Sequence, residues 1–319
     1  MTQVLLVGLP RSATTWVGRC IGHAAGARYI DEPDNENIHP YAVRAKRRLG
    51  RYPILRPQDQ APPDYERLWA LAAAGGEQPA GLRGRVSHRF YDPVRWHAHP
   101  EGRRDLGTRG HLRLRASELL ATAGRATPFE HLVVKSVFVP FAMEWLVRRW
   151  DGPIVLAVRD PLNAVASWWD LGWRDVLGHH RAFGTGASAV PEALIETLGE
   201  VRVPPLVEPH SPLQLLAWQF GLLSSALLSS YRRHPEWVLA RHDELCSDPV
   251  PGFKTLFARV GLPWSDTAEE FLLESDRPGS GAFDTTRVAS REHARWRDRL
   301  TPEQVSEVRQ VIEGFELSW

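Results

Sequence analysis

Short apolar runs punctuate the chain, and helical spacing fills the segments between them. Val4-Leu5-Leu6-Val7-Gly8 is a β-branched run closed by glycine, and Thr14 to Ala25 follows with helix-compatible spacing after a turn that carries Pro10. Leu132-Val133-Val134 runs into Lys135, and Ile154 to Val158 runs into Arg159. Each is followed by a helical pattern, over Phe141 to Trp150 and over Leu162 to Leu171. A long helical pattern from Leu213 to Tyr231 leads to a further strand at Trp237 to Arg241, and Arg28-Tyr29-Ile30 reads as another. Thr301 is placed to cap a last helix opened by Pro302-Glu303. Strands alternating with helices predict an α/β fold, a parallel sheet covered by helices on both faces.

Between these units, residues 50–64, 75–111 and 172–212 are rich in Pro, Gly and Arg. They are too long for simple connections, so the pattern predicts one domain with insertions near 50–111 and 172–212, lying over the carboxyl edge of the sheet where ligands bind. With 43% hydrophobic and 24% charged residues, the composition excludes general disorder. Lys and Arg total 39 against 38 for Asp and Glu, which does not supply the basic face that duplex nucleic acid demands. Cys20 and Cys246 are too few for a disulfide framework and lack zinc-site spacing, so a reducing cytoplasm is expected. The chain starts without a charged leader or a cleavage site, and no run reaches the ~18 apolar residues of a membrane span. Lysine occurs only at 46, 135 and 254, which makes Lys135 conspicuous among the arginines.

Gly8 to Trp16 joins a strand to a helix, where backbone N–H groups and the helix N-terminus converge on an anion. A nucleoside-triphosphatase loop would read GxxxxGK[ST]; here Ala13 and Thr14 stand at the Gly and Lys positions. The cation, Arg11, comes earlier, and Ser12, Thr14 and Thr15 add hydroxyls. The plainer alternative is a turn whose hydroxyls cap the helix. Two further strands end in Lys135 and Arg159, where a Mg²⁺-dependent enzyme delivers an Asp to its metal. Asp160 is the one rival, a residue late and followed by Pro161. Cations at several strand ends suit an anionic cofactor held without a metal.

The run Pro10-Arg11-Ser12-Ala13-Thr14-Thr15-Trp16 resembles the phosphosulfate loop of sulfotransferases that use 3′-phosphoadenosine-5′-phosphosulfate (PAPS). Arg159 to Trp169 looks like that family's second motif, in which an Arg and a Ser eight residues on, here Arg159 and Ser167, hold the 3′-phosphate. Arg241-His242-Asp243-Glu244-Leu245, Gly261-Leu262-Pro263-Trp264 and Trp296-Arg297 add weaker agreement. The resemblance implies a P-loop-like sulfotransferase fold, PAPS bound by residues 11–16, Arg159 and Ser167, and Trp16 stacked on adenine. It implies adenosine 3′,5′-bisphosphate as product and transfer to a hydroxyl of a small-molecule acceptor; from charge balance and hydropathy, no nucleic acid or membrane partner is expected. Ala13 departs from the usual Gly, and Lys135-Ser136-Val137 departs from the Lys-Thr-His run that supplies a base in cytosolic members. The family's Arg-Lys-Gly run is missing, and Arg287 or Arg291 is the expected substitute.

Arg11 and Lys135 are placed to neutralise charge on the transferring group. For the base, Glu32 in Asp31-Glu32-Pro33 is the first candidate, because it follows a strand expected beside the phosphate loop and because members outside the cytosolic group often use an acidic residue. His39 and His88 are the alternatives, and Asp31 is expected to point away and to tolerate Asn. The bland reading of Asp31, Glu32, Asp34 and Glu36 is a solvated acidic loop, and that of Arg44, Lys46, Arg47, Arg48 and Arg51 is a solvated helix face on Tyr41 to Leu49. His97, His99, His179 and His180 are expected as exposed residues of the insertions. A sulfotransferase of specialised metabolism is the expected function; a kinase with a degenerate loop and a non-catalytic nucleotide-binding protein are the alternatives.

Overall fold

The computed structural model describes residues 1–76, 91, 107–122, 128–177, 190, 194–195, 198–199, 203–277, 292 and 294–317. Five strands form one sheet: β1 (Thr2–Gly8), β2 (Ala27–Asp31), β3 (His131–Ser136), β4 (Ile154–Val158) and β5 (Val238–Arg241). Every pairing is parallel and the order is β2-β3-β1-β4-β5. The expected α/β architecture is therefore present, with all five carboxyl ends on one edge. One expectation is corrected: β2 does not flank the strand that feeds the phosphate loop, because β3 lies between them.

Side-chain alternation divides the core into two layers. Leu5, Val7, Ile30, Leu132, Val134 and Leu156 face a larger layer. Its helices include α2 (Pro40–Lys46), α3 (Pro63–Ala73), α5 (Met143–Val147), α6 (Pro161–Asp170), α7 (Pro212–Arg233) and α11 (Pro302–Glu313), and α4 (Gly107–Thr122) packs beside α2. Val4, Leu6, Val133, Val155 and Ala157 face the other layer, built on α1 (Thr14–Gly22), α8 (His242–Ser247), α9 (Pro249–Val260) and α10 (Asp266–Ser275). The long α7 is buried almost all round and starts at a capping box made by Ser211 and Gln214; Thr301 and Gln304 make the same box at α11.

The helix expected over Phe141 to Trp150 is shorter. A 3-10 turn at Pro140–Ala142 precedes α5, which ends at Val147. Within 50–64 the Leu55 N–H donates to the Phe141 carbonyl at 3.1 Å, and the Trp145 indole donates to the Asp59 carbonyl at 3.1 Å. Much of the other two stretches lies outside the described residues, as do His88, His97, His99, His179, His180, Arg287 and Arg291.

Candidate active site

The site is built where β1 turns into α1. Gly8 is required there, since a Cβ would stand 2.6 Å from the Thr14 methyl and 2.7 Å from the Ala157 carbonyl oxygen. Arg11 at φ 68° and Ala13 at φ 63° are both left-handed without being glycine, an arrangement costing about 1–2 kcal/mol each. Local preference does not produce such a loop; surrounding contacts must hold it. Ala13 stands at the N-cap of α1, and among the described residues no side chain caps the helix. Ser12 and Thr14 are buried, while Thr15 and Trp16 are half-buried.

Residues from the β4–α6 segment supply those contacts. Arg159 Nη1 donates to the Arg11 carbonyl at 3.0 Å, the Trp168 indole donates to the Pro10 carbonyl at 2.9 Å, and Ser167 Oγ accepts from Arg11 Nε at 3.0 Å. Two segments singled out separately in the sequence thus form one structure. Asp160 is spent on α6, its carboxylate accepting the Asn163 N–H at 2.9 Å. Trp16 packs edge-on against Phe253 and His242, and its indole donates to Ser275.

Lys135 lies at the other side of the loop and is only 1% exposed. Its ammonium stands 2.5 Å from Glu32 Oε1, 2.8 Å from Asp31 Oδ1 and 3.0 Å from Thr15 Oγ1, so all three donors have partners. The displaced strand order does not remove Glu32, because Asp31 pairs in register with Lys135 and the Glu32 N–H donates to the Lys135 carbonyl at 2.8 Å. The expectation that Asp31 points away is overturned. Asp31 shares a sheet face with Tyr29 and Lys135, and the Tyr29 hydroxyl donates to its Oδ1 at 3.1 Å. Glu32 escapes strand alternation by a left-handed turn at φ 47°, which brings both carboxylates to one ammonium. His39 is close as well, its Nε2 being 2.9 Å from the Asp31 carbonyl oxygen.

The acidic run is not a solvated loop. Asp34 and Glu36 are fully buried, and Ser136 Oγ lies 2.7 and 2.9 Å from the two Asp34 carboxylate oxygens. Lys46 is also fully buried, paired with Glu36 at 2.9 Å and donating to the Asp34 carbonyl at 2.9 Å. The basic run is therefore no uniform solvated face: Arg44, Arg47 and Arg48 are exposed, whereas Lys46 turns inward under the Phe138 ring. Burial pushes the Asp34 carboxyl up to about 6, against the opposing pull of Lys46 and the Ser136 hydrogen bond. Asn35 ties this buried layer to the site by donating to Glu32 Oε2.

Glu292 near the loop carried no reading in the sequence, and His242 and Asp34 stood out there only as members of longer runs. Glu292 accepts from Arg159 Nη2 at 2.9 Å and pairs with Arg295 at 2.6 Å. His242 is buried beside Cys246, and burial first, then the Arg159 charge, holds its imidazole well below the usual range. Ser136 was legible as a departure from a family run, but its pairing with Asp34 was not.

No protein-family model and no curated protein matches the sequence. Among solved structures, the chain is similar to the sulfotransferase domain from the curacin biosynthetic pathway, with 11% identity, coverage of 99% of each chain and a TM-score of 0.50. The fold is that of a sulfotransferase domain. Weaker similarity extends to the sulfotransferase domain of the Synechococcus PCC 7002 olefin synthase, 11% identical over 100% of this chain and 96% of that one at a TM-score of 0.46. It extends also to a sulfotransferase of Mycobacterium tuberculosis H37Rv, 16% identical over 98% and 76% at 0.37. In this sulfotransferase fold, β1, its loop and α1 make the P-loop-like unit.

Proposed function

We propose that the protein is a PAPS-dependent sulfotransferase that moves a sulfuryl group to a hydroxyl of a small-molecule acceptor. One observation carries the reading. Arg11 in the loop after β1, Lys135 on β3 and Arg159 just after β4 converge on a loop whose helix N-terminus has no side-chain cap among the described residues. That is a site for a ligand with more than one anionic group. The buried Arg159 Nε, which has no hydrogen-bond partner, fits such a ligand too.

The N–H groups and hydroxyls of Ser12, Ala13, Thr14 and Thr15 would hold the 5′ side of the donor, and Arg159 and Ser167 its 3′-phosphate. Trp16 would lie against the adenine. The donor supplies an already activated sulfuryl group, so the protein has to orient the acceptor, take its proton and neutralise developing charge. Glu32 takes the hydroxyl proton on its carboxylate. Lys135 and Arg11 place positive charge where the leaving phosphate gains negative charge. Asp31, Thr15 and the Asn35 amide fix Lys135 and Glu32 in that arrangement.

Calorimetric titration with adenosine 3′,5′-bisphosphate in the presence of EDTA tests the cofactor. Binding without metal, and weaker binding of ATP with or without Mg²⁺, is expected. Tight Mg²⁺-dependent ATP binding with no response to the bisphosphate overturns the reading.

A further inference from the structure

The guanidinium of Arg159 already holds an anion. Glu292 Oε2 accepts from Nη2 at 2.9 Å while Glu292 Oε1 meets Arg295 at 2.6 Å, so one carboxylate bridges two guanidiniums. Both members of the inner pair are buried, with side-chain exposures of 8% and 9%. Arg159 Nη1 donates one N–H to the Arg11 carbonyl, and Nη1 and Nη2 each carry a second N–H beside that of Nε. Nε has no partner, and Nη2 is the one that Glu292 takes. A guanidinium receives a phosphate bidentately through two N–H groups on one side, and the Nε–Nη2 side brings the phosphate onto the nitrogen that already holds the Glu292 carboxylate.

We propose that Glu292 is a specificity-determining residue that competes with the 3′-phosphate for Arg159 and so sets how strongly the site prefers a 3′-phosphorylated nucleotide over its 3′-hydroxyl analogue. The inference rests on the PAPS reading. A 3′-phosphorylated ligand must displace the carboxylate from Nη2 or share the guanidinium with it against like-charge repulsion. A ligand ending in a 3′-hydroxyl has no such competition to meet. Arg295, released from Glu292 by the same displacement, becomes available to the incoming phosphate.

The opposite role is orientation, in which Glu292 merely holds Arg159 in place for the phosphate. The two roles predict opposite signs. Glu292→Gln keeps the size and the hydrogen-bond acceptor but removes the charge. Competition predicts that calorimetry shows adenosine 3′,5′-bisphosphate binding at least fivefold tighter to this variant than to wild type, with adenosine 5′-phosphosulfate changed less than twofold. Weaker or unchanged binding of the bisphosphate, or an equal gain for both nucleotides, overturns the proposal while leaving the cofactor reading intact. Thermal melting without ligand checks that the variant is folded, and Glu292→Asp serves as a charge-retaining control expected to stay near wild type. If wild type binds neither nucleotide, the PAPS reading fails and this inference fails with it.

Discussion

Arg11 and Ser167 stand 156 positions apart in the chain, and Arg11 Nε donates to Ser167 Oγ across 3.0 Å. The contact joins the loop cation to the second motif, so the groups proposed for the two phosphates of the donor form one connected unit. Arg159→Ala and Ser167→Ala should each weaken binding of adenosine 3′,5′-bisphosphate, by about 1.5–3 kcal/mol for each charge-assisted bond lost. Calorimetry on both variants checks this, and unchanged affinity in both refutes the assignment. Because the two residues touch one loop, the double variant should lose less than the sum.

Asp31→Asn is expected to lower turnover more than it weakens donor binding. The carboxylate lies 2.8 Å from Lys135 and takes the Tyr29 hydroxyl, so an amide presents a weaker acceptor to an ammonium that needs three. A kcat loss of ~10-fold or more with KM for the donor nearly unchanged is the expected signature. A matched rise in KM alone would make Asp31 a donor-binding residue instead.

Much of this architecture is legible in sequence, and the misses share a cause. The strands at 4–8, 132–134 and 154–158 stand out because parallel strands buried on both faces are apolar at every position, whereas β5 at the sheet edge alternates between buried and half-buried residues. The loop and Arg159 stand out because cations follow directly on apolar strands. Strand order does not stand out, since β2 at the sheet edge is related to β1 only through β3. Nor does the direction of Asp31 and Glu32, which depends on one left-handed residue at the strand end. Lys46 is instructive. The scarcity of lysine drew attention to Lys135, and the same scarcity applies to Lys46, whose place in a basic run hid its buried role. Glu292 carries no local sequence signal, as its partner Arg159 lies 133 residues away.

Lys46→Met should destabilise the fold by about 3–5 kcal/mol, because it strands the Glu36 carboxylate in a fully buried position. Replacing both partners, Lys46→Met with Glu36→Leu, should recover much of that loss. Chemical denaturation of the three proteins measures it, and a single variant as stable as wild type contradicts the buried pair.

Two buried groups give opposing pH dependences. Asp34 has its folded-state carboxyl raised from 3.8 to about 6, so the folded state binds the extra proton and stability falls as pH rises from about 4 to 6. His242 has its imidazole lowered well below 6.5, so unfolding takes up a proton and stability falls as pH drops beneath that value. In thermal melts between pH 4 and 6, Asp34→Asn should lose its own downward slope and gain stability with rising pH more steeply than wild type. His242→Gln should show the reverse change. Parallel curves for all three proteins contradict both assignments.

The central claim is sulfuryl transfer assisted by Glu32, and the most direct measurement follows radiolabelled sulfate from PAPS into a panel of phenols and alcohols with EDTA present. The account predicts a labelled sulfate ester from wild type and a turnover lower by ~10²–10⁴ in Glu32→Gln, with affinity for adenosine 3′,5′-bisphosphate nearly intact. Wild-type transfer that Glu32→Gln leaves undiminished, and that His39→Ala abolishes, contradicts the assignment of the base. Tight binding of PAPS with no transfer to any acceptor contradicts the enzyme itself.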